Sequence, residues 1–240
     1  MIYNPWRGCK RYSEGCLHCY IHSGDLKRKV DTANIVKTKD FYKPILKNKD
    51  GSYKMKNGLV YLCFSSDFFL EEADIWRDEV WQMIKERSDC KFLFLTKRIE
   101  RINSCLPKDI NDGYDNVIIY ATCENQRTID IRLRYLKEAP FLHKGIVLQP
   151  LLEKVNIENY LDENIQEVLV GGEENKDARV LDYDWVLDIR DQCLRKNVNF
   201  TFRQLGTNFL KDGKLYHLKR KDLMSQARKA NIDIKNRKHI

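Results

Sequence analysis

Six short apolar runs recur along the chain, and they constrain its fold more than any other feature. They lie at residues 59–64, 92–95, 117–120, 146–148, 168–170 and 200–202. Their apolar residues do not alternate with polar ones, which is typical of strands buried on both faces. Apolar residues at helical spacing lie between several runs, at Trp76, Val80 and Met83, then Ile129 and Leu133, then Trp185, Ile189 and Cys193. A repeat of strand, helix and strand predicts a parallel sheet.

The length and composition fit one large core. The chain has 240 residues, of which 42% are hydrophobic and 32% charged, so it is not a disordered tail protein. Parallel crossovers build either an open doubly wound sheet or a barrel, and the apolar pattern leaves both open. No glycine-rich phosphate loop follows any run, which argues against a dinucleotide-binding or NTPase domain.

Charge and hydropathy favour a cytoplasmic protein with an anionic partner. No stretch approaches the ~18 continuous apolar residues of a membrane span, and residues 1–6 lack the layout of a signal peptide. We therefore predict a cytoplasmic location and no membrane partner. The net charge of +8 favours association with nucleic acid, and an ordinary solvated basic surface is the alternative.

Eight cysteines fall into two groups. Five are solitary and lie in or beside apolar runs, where a small buried hydrophobic residue is the usual role: Cys63, Cys90, Cys105, Cys123 and Cys193. Cys9, Cys16 and Cys19 share one short segment and can converge on one soft metal centre. Zinc with His22 as the fourth ligand, an iron–sulfur cluster with one open iron, and uncoordinated thiols all fit this spacing.

Polar residues follow the apolar runs. Because the carboxyl ends of parallel strands share one edge of a sheet, these residues predict a binding site there. The alternative is that each one only caps the following helix or loop. The groups lie at residues 65–67, 96–98, 122–125, 149, 171–174 and 203–204.

The cysteine segment also resembles a known family. Residues 4–9 and 16–20, Asn-Pro-Trp-Arg-Gly-Cys and Cys-Leu-His-Cys-Tyr, are similar to the opening of a radical S-adenosylmethionine (SAM) family found in phage and bacterial genomes. Further segments follow in the family's order, and the resemblance covers about residues 3–206. Ser65-Ser66-Asp67, followed about thirty residues later by Thr96-Lys97, is more distantly similar to spore photoproduct lyase.

The resemblance implies a fold and a chemistry. The fold is α/β, a partial (β/α) TIM-type barrel with mainly parallel strands over residues 1–206, followed by a basic C-terminal extension at 207–240. Its first strand would be very short or borrowed from elsewhere. Cys9, Cys16 and Cys19 would hold a [4Fe-4S] cluster, and SAM would chelate the fourth iron. An electron donor such as flavodoxin or ferredoxin would drive cleavage of SAM to methionine and a 5′-deoxyadenosyl radical, which takes a hydrogen atom from substrate.

Chemical reasoning then assigns roles at the rim. Candidates for the SAM ammonium are Ser65, Ser66 and Asp67; Lys97 suits the carboxylate, Glu124 or Asn125 the ribose, and His18 or Tyr20 the adenine. Glu173 is a rim carboxylate that either pairs with Arg179 or faces substrate. Cys123 and Tyr120 are candidate hydrogen-atom donors, although a core position is the stronger interpretation of Cys123.

These observations predict a radical SAM enzyme that modifies or repairs nucleic acid. The basic balance and the tail around residues 219–221 favour nucleic acid as the substrate, with a peptide or small metabolite as the alternative. A second class of function also fits the sequence. It is a zinc-stabilised, non-enzymatic nucleic-acid-binding protein that uses Cys9, Cys16, Cys19 and His22.

Overall fold

The computed structural model describes residues 1–111 and 113–235. Its strands are β1 (Ile2–Tyr3), β2 (Trp6–Arg7), β3 (Val36–Lys37), β4 (Gly58–Leu62), β5 (Cys90–Thr96), β6 (Val117–Thr122), β7 (His143–Leu148), β8 (Ile165–Gly171), β9 (Leu181–Asp182), β10 (Asn199–Gln204), β11 (Asn208–Lys211) and β12 (Lys214–His217). Its α-helices are α1 (Tyr20–Lys27), α2 (Asp74–Glu86), α3 (Ile102–Cys105), α4 (Gln126–Glu138), α5 (Tyr183–Arg195) and α6 (Leu223–Ala230).

The chain is a mixed α/β protein with one large sheet. Seven strands form this sheet in the order β1-β4-β5-β6-β7-β8-β10, and the pairs whose register is defined are parallel. Each of the six apolar runs overlaps one of these strands, so the predicted parallel sheet is confirmed. Its first strand is indeed very short, since β1 has two residues. The chain divides into two compact units.

The first unit comprises Met1–Tyr12, Ile21–Tyr120 and Glu138–His143. In it, β4 pairs with both β1 and β5. Its core is aromatic: Phe68 stacks on Trp6 with ring centroids 5.5 Å apart and contacts Trp81 and Phe94 at 5.1 and 4.8 Å. All four rings are fully buried. Burial of this much aromatic surface supplies much of the driving force for folding the unit.

One expectation about the strands fails in the first unit. Strands β6 and β7 are buried along their whole length, as the unbroken apolar runs predict. In β4, however, buried and exposed positions alternate, and Leu59 and Tyr61 are exposed. An apolar residue therefore does not prove burial, because much of a folded surface is itself apolar.

The second unit comprises Ser13–Tyr20, Ala121–Lys137 and the chain from Lys144 onward. Strand β8 pairs in parallel with β7 and β10, and helices α5 and α6 both contact β10. A smaller sheet has the order β12-β11-β9. Asp212 and Gly213 join β11 to β12 and both have positive φ, as a tight hairpin turn requires.

Several predictions about composition and the tail are confirmed, and others stay open. All five solitary cysteines are buried. The basic tail contains the short helix α6. A domain boundary at residue 206 stays a prediction, and residues 236–240 of the predicted extension lie outside the described residues. Across 1–111 and 113–235, no helix has the length and apolar character needed to cross a membrane.

Candidate functional site

Asp67 organises the carboxyl ends of β4 and β5 in the first unit. It is 5% exposed. Its Oδ1 accepts hydrogen bonds from the Thr96 hydroxyl (2.7 Å) and the Phe69 amide (2.9 Å). Its Oδ2 accepts from the Lys97 amide (3.0 Å) and the Arg98 guanidinium (3.2 Å). A carboxylate has about four lone-pair sites, and these four donors use them. The geometry gives Asp67 a structural role in holding the turn after β5, and contact with the SAM ammonium stays a prediction.

The two serines before Asp67 hold the chain that leads into Cys9. The Ser66 hydroxyl donates to the Gly8 carbonyl at 2.5 Å, and the Ser65 hydroxyl donates to the Trp6 carbonyl at 3.3 Å. Arg98 donates to the Lys10 carbonyl at 2.8 Å. The backbone on both sides of Cys9 is therefore bonded to residues that follow β4 and β5.

Gly8 makes this close approach possible. Its φ is +93°, a conformation that side-chain-bearing residues rarely adopt. A Cβ added there would lie 2.7 Å from the Asn34 carbonyl oxygen and 2.9 Å from that of Thr32. Thr32 also accepts a hydrogen bond from the Cys9 amide at 2.8 Å. Only glycine fits at residue 8 without moving the backbone that presents Cys9.

Cys16 and Cys19 lie in the second unit, on a segment that ends as α1 begins. Residues Glu14–Cys16 form one 3₁₀ turn, in which the Cys16 amide donates to the Ser13 carbonyl at 2.8 Å. The Cys19 amide donates to the Cys16 carbonyl at 3.3 Å. Cys16 is buried and Cys19 is half-buried. Local turns therefore set the spacing of these two thiols.

Side chains that follow β6 and β8 donate hydrogen bonds to this segment. The Asn125 side-chain amide donates to the Glu14 carboxylate, and the Asn125 side-chain oxygen, Oδ1, accepts from the Thr128 amide at 2.9 Å. The Asn175 side-chain amide donates to the His18 carbonyl at 2.8 Å. Asn125 therefore links the start of α4 to the cysteine segment, and Asn175 holds the segment just before Cys19.

A third set of hydrogen bonds in the second unit involves Glu173 and Arg179. The Glu173 carboxylate is 7% exposed, and it accepts from the Arg179 backbone amide at 2.8 Å and from Nε at 3.2 Å. The Arg179 guanidinium also forms a close ion pair with Glu173 and donates to the Glu14 carbonyl at 2.9 Å. Of the two expectations for Glu173, the structure shows the pair with Arg179. Glu173 thereby orients the guanidinium toward the cysteine segment.

Glu124 lies deeper than a ribose contact would require. It is fully buried, and its Oε2 accepts from Arg132 Nη1 at 2.9 Å. The same nitrogen donates to the Thr122 carbonyl at 2.7 Å. Glu124 therefore forms a buried ion pair with Arg132 at the end of β6. A ribose contact by Glu124 or Asn125 stays a prediction.

The remaining candidates differ in exposure. Tyr20 is 52% exposed, whereas His18 and Lys97 are half-buried. Tyr120 and Cys123 are both buried, and the Cys123 amide donates to the Val147 carbonyl at 2.8 Å. This burial agrees with a core position for Cys123. A role for either residue as a hydrogen-atom donor stays a prediction.

Burial raises the pKa of four of the five thiols outside the cysteine segment. Burial raises the pKa of Cys105 to about 11 and that of Cys193 to about 12. It also raises the pKa of Cys63 and Cys90. A protonated thiol is a poor nucleophile and a poor metal ligand. The candidate ligands are therefore the thiols of the cysteine segment, of which Cys9 and Cys19 are half-buried.

No metal site is preassembled in the described part of the chain. Within it, no three side chains of His, Cys, Asp or Glu lie close enough together to hold a metal ion. His22, the proposed fourth zinc ligand, is half-buried in α1, where burial and the charge of Arg11 lower the pKa of its imidazole. In number and type, the three thiols of Cys9, Cys16 and Cys19 fit the donor set of a cluster that keeps one open iron.

A comparison with known protein families finds one family that matches this chain. A profile described as a protein of unknown function, DUF5131, matches residues 1–235. The chain belongs to the DUF5131 family. The match includes the cysteine segment and every residue that fastens it. No curated protein and no solved structure matches the chain.

Three residues of this DUF5131 protein have roles that the sequence analysis did not assign. Arg98 holds the Lys10 carbonyl, Glu14 accepts from Asn125, and Asn175 holds the His18 carbonyl. Arg98 and Asn175 each follow a strand of the sheet, as the predicted site residues do. The position of Arg98 and Asn175 after a strand was therefore the available sign of a role at the site. That position does not reveal that both side chains bind the cysteine segment.

Proposed function

We propose that this protein is a radical SAM enzyme whose sheet is part of a (β/α) TIM-type barrel. Cys9, Cys16 and Cys19 would ligate a [4Fe-4S] cluster, and SAM would occupy the open iron. The proposal rests on the hydrogen bonds that hold the backbone of the cysteine segment. In each unit, side chains that follow strands of the sheet hold the backbone next to a cysteine, through Ser66 and Arg98 in one and Asn175 in the other.

The hydrogen bonds to the segment suit a cluster loop. They are made to main-chain carbonyls beside the cysteines and not to the sulfur atoms. Such supporting contacts orient metal ligands and affect metal affinity. Because the described residues show no preassembled group, the proposal includes convergence of the three sulfurs when the cluster is loaded. Coupling of local structure to metal loading is common.

The cofactor would supply a one-electron cleavage of a C–S bond and the means to abstract a hydrogen atom from substrate. The chain would bind and orient SAM, exclude water and position the substrate C–H bond. Lys97, half-buried, is the proposed carboxylate contact, and the exposed Tyr20 ring is a proposed adenine contact. Asp67 and Glu173 would act indirectly, by holding Arg98 and Arg179 in place.

Nucleic acid is the proposed substrate class. The chain carries a net charge of +8. Residues 207–235 contribute eight Lys and Arg against three Asp, so the excess of positive charge is concentrated in the tail. Concentrated basic charge favours polyanion binding through phosphate contacts. The proposed reaction is removal of a hydrogen atom from a base or sugar during modification or repair.

Anaerobic reconstitution with iron and sulfide tests the proposal. We expect about four irons per chain, a brown colour, and reductive cleavage of SAM to methionine and 5′-deoxyadenosine under dithionite. Cys9→Ala, Cys16→Ala and Cys19→Ala should each lose iron and cleavage. Cys193→Ala, which removes a buried thiol outside the segment, is the matched control and should keep both.

The same preparation separates the enzyme from the zinc-stabilised alternative. His22→Ala should leave iron content and SAM cleavage intact if three cysteines suffice. A colourless protein that holds one zinc tightly, and loses it in His22→Ala, would refute the enzyme and support the binding protein.

A further inference from the structure

The first unit contains a cleft that is not lined by Lys97 or Tyr20, the proposed SAM contacts. It has a volume of about 510 Å³, and every residue that lines it belongs to the first unit. Its lining includes Asn4, which follows β1, together with Gly8 and Ser65. The cleft therefore reaches the backbone next to Cys9. Ligand sites commonly have volumes in this range.

The cleft is positively charged. Its lining includes four basic residues, Arg7, Arg28, Lys37 and Lys39, and two acidic ones, Asp25 and Asp40. Part of this charge is internally compensated. Arg28 forms an ion pair with Asp25, and Lys37 lies 3.1 Å from a carboxylate oxygen of Glu79.

The other two cations of the cleft form no ion pair with the described residues, although the charge of Arg7 acts on Asp25 at longer range. Neither the Arg7 nor the Lys39 side chain makes a hydrogen bond or ion pair with residues 1–111 or 113–235, and both are exposed. Burial opposes ionisation of Asp25, but hydrogen bonds from Arg28 and Thr32 and the charges of Arg28 and Arg7 hold its pKa below the ordinary value. Asp25 is thus ionised and engaged by Arg28. The cleft offers Arg7 and Lys39 to an anion.

The backbone that carries these two cations is held in place. Arg7 lies on β2, opposite Val36 of β3 in an antiparallel pair. Next to Lys39, Thr38 donates its hydroxyl to the Asn4 carbonyl at 2.6 Å and its amide to the Pro5 carbonyl at 2.9 Å. Because the backbone is already ordered, binding an anion here costs less conformational entropy.

The cleft also has an apolar part. Ile2, Ile21 and Val36 belong to its lining, and Ile2 is 56% exposed. An apolar surface beside two available cations matches a ligand with a flat apolar ring at one end and a phosphate at the other. That chemistry is a nucleotide. The volume accommodates a ligand of about drug size, and therefore a single nucleotide unit rather than a duplex.

We propose that this cleft binds one phosphate-bearing nucleotide unit, with Arg7 and Lys39 on the phosphate and Ile2, Ile21 and Val36 beside the base. The inference rests on the nucleic-acid half of the proposed function and names its site. The source of the unit is an unpaired nucleotide in a strand or a free nucleotide. The short step from Gly8 to Cys9 would place either one beside the proposed cluster loop.

Binding of a labelled single-stranded oligonucleotide to the reconstituted protein tests the cleft. We expect the double variant Arg7→Gln/Lys39→Gln to bind about tenfold more weakly. The slope of log affinity against log salt should fall by about 0.7, since one single-strand phosphate contact is lost. The matched control is Lys49→Gln/Lys54→Gln, which removes two exposed lysines outside the cleft and should change affinity less than about twofold.

Equal weakening in the two double variants would overturn the proposal, because it would show that net charge alone governs binding. Thermal unfolding of both variants checks that the fold is retained. A second measurement is independent of mutation. Photo-crosslinking with a thiouridine-containing strand should label peptides covering residues 1–8 or 36–40, and labelling confined to residues 208–229 would overturn the proposal.

Competition by a nucleoside monophosphate separates the two sources. Displacement of the strand by the free nucleotide identifies a free nucleotide as a ligand, and displacement only by unlabelled strand identifies a strand. Failure of both to bind removes the cleft as a nucleotide site. SAM cleavage is assayed separately without nucleic acid, so this failure is distinguishable from failure of the proposed radical chemistry.

Discussion

Asp67 and Arg98 form an ion pair with 3.2 Å between Oδ2 and Nη1, and only 7% of each side chain is exposed. The same guanidinium donates to the Lys10 carbonyl and lies 4.6 Å from the centre of the Tyr12 ring. The pair therefore joins the ends of two strands to the backbone just after Cys9.

Arg98→Gln tests this pair. Removing one partner of a buried ion pair costs about 3–5 kcal/mol. Because Asp67 keeps its other hydrogen-bond donors, we expect a loss near the lower end, about 3 kcal/mol in the free energy of unfolding measured with urea. The control is Arg195→Gln, whose pair with Glu158 is much more exposed to solvent and should contribute little to stability. Similar losses in the two variants would contradict the assigned role of Arg98.

Gly8→Ala should lower the free energy of unfolding by more than backbone strain at residue 8 alone would, because the residue precedes Cys9 at a crowded place in the backbone. A non-glycine residue at positive φ costs about 1–3 kcal/mol, and the new Cβ would also press on two carbonyl oxygens. Gly51→Ala is the matched control, since Gly51 has φ +84° and nothing within 4 Å of the added Cβ. Urea unfolding should show a larger loss for Gly8→Ala, together with reduced iron uptake. Equal losses would show that the contact with Thr32 and Asn34 does not matter.

Arg179→Gln should weaken iron binding while leaving most of the fold intact. Arg179 supports the carbonyl of Glu14, and loss of a supporting contact typically lowers metal affinity about tenfold or more. Arg220→Gln is the control, because Arg220 pairs with the neighbouring Glu174 at a more exposed position. Iron content after reconstitution and dialysis against a chelator measures the difference. Unchanged iron retention in Arg179→Gln would be evidence that the hydrogen bond from Arg179 to the Glu14 carbonyl does not support the cysteine segment.

Cys193 should make stability depend on pH in the alkaline range. Burial raises its pKa from 9.0 to about 12, so the unfolded chain releases the thiol proton first as pH rises. The contribution of Cys193 is fully present below pH 9 and is lost between 9 and about 12, at up to about 1.4 kcal/mol per pH unit. Urea unfolding should show a flatter alkaline decline for Cys193→Ala than for the unmodified chain. Identical slopes would contradict this assignment.

Much of the fold follows from local sequence patterns. The six apolar runs and the helical spacing at Trp76 and Ile129 correspond to strands and helices of the structure, because periodicity reflects which face of an element is buried. The alternating burial of β4 could not be read from the residues 59–64. Leu59 and Tyr61 are apolar yet exposed, and only the neighbouring elements determine whether a face is covered.

The candidate site was predictable in its composition but not in its connections. The cysteine spacing and the polar residues after each strand are visible in the sequence. Whether Asp67 or Glu173 is free for a ligand is not visible, because it depends on which donors the fold brings to them. The structure pairs both with arginines, at Arg98 and Arg179.

The sequence by itself determined the order of six strands of the large sheet and three of the helices between them, the three clustered cysteines and the polar character of the strand ends. Those properties depend on residues that are near one another in the chain. Tertiary structure decided what the strand ends bind. Ser66 meets Gly8 across 58 positions and Arg179 meets Glu14 across 165. Contacts across such separations form only when the sheet has assembled, since each depends on the packing of every element between them.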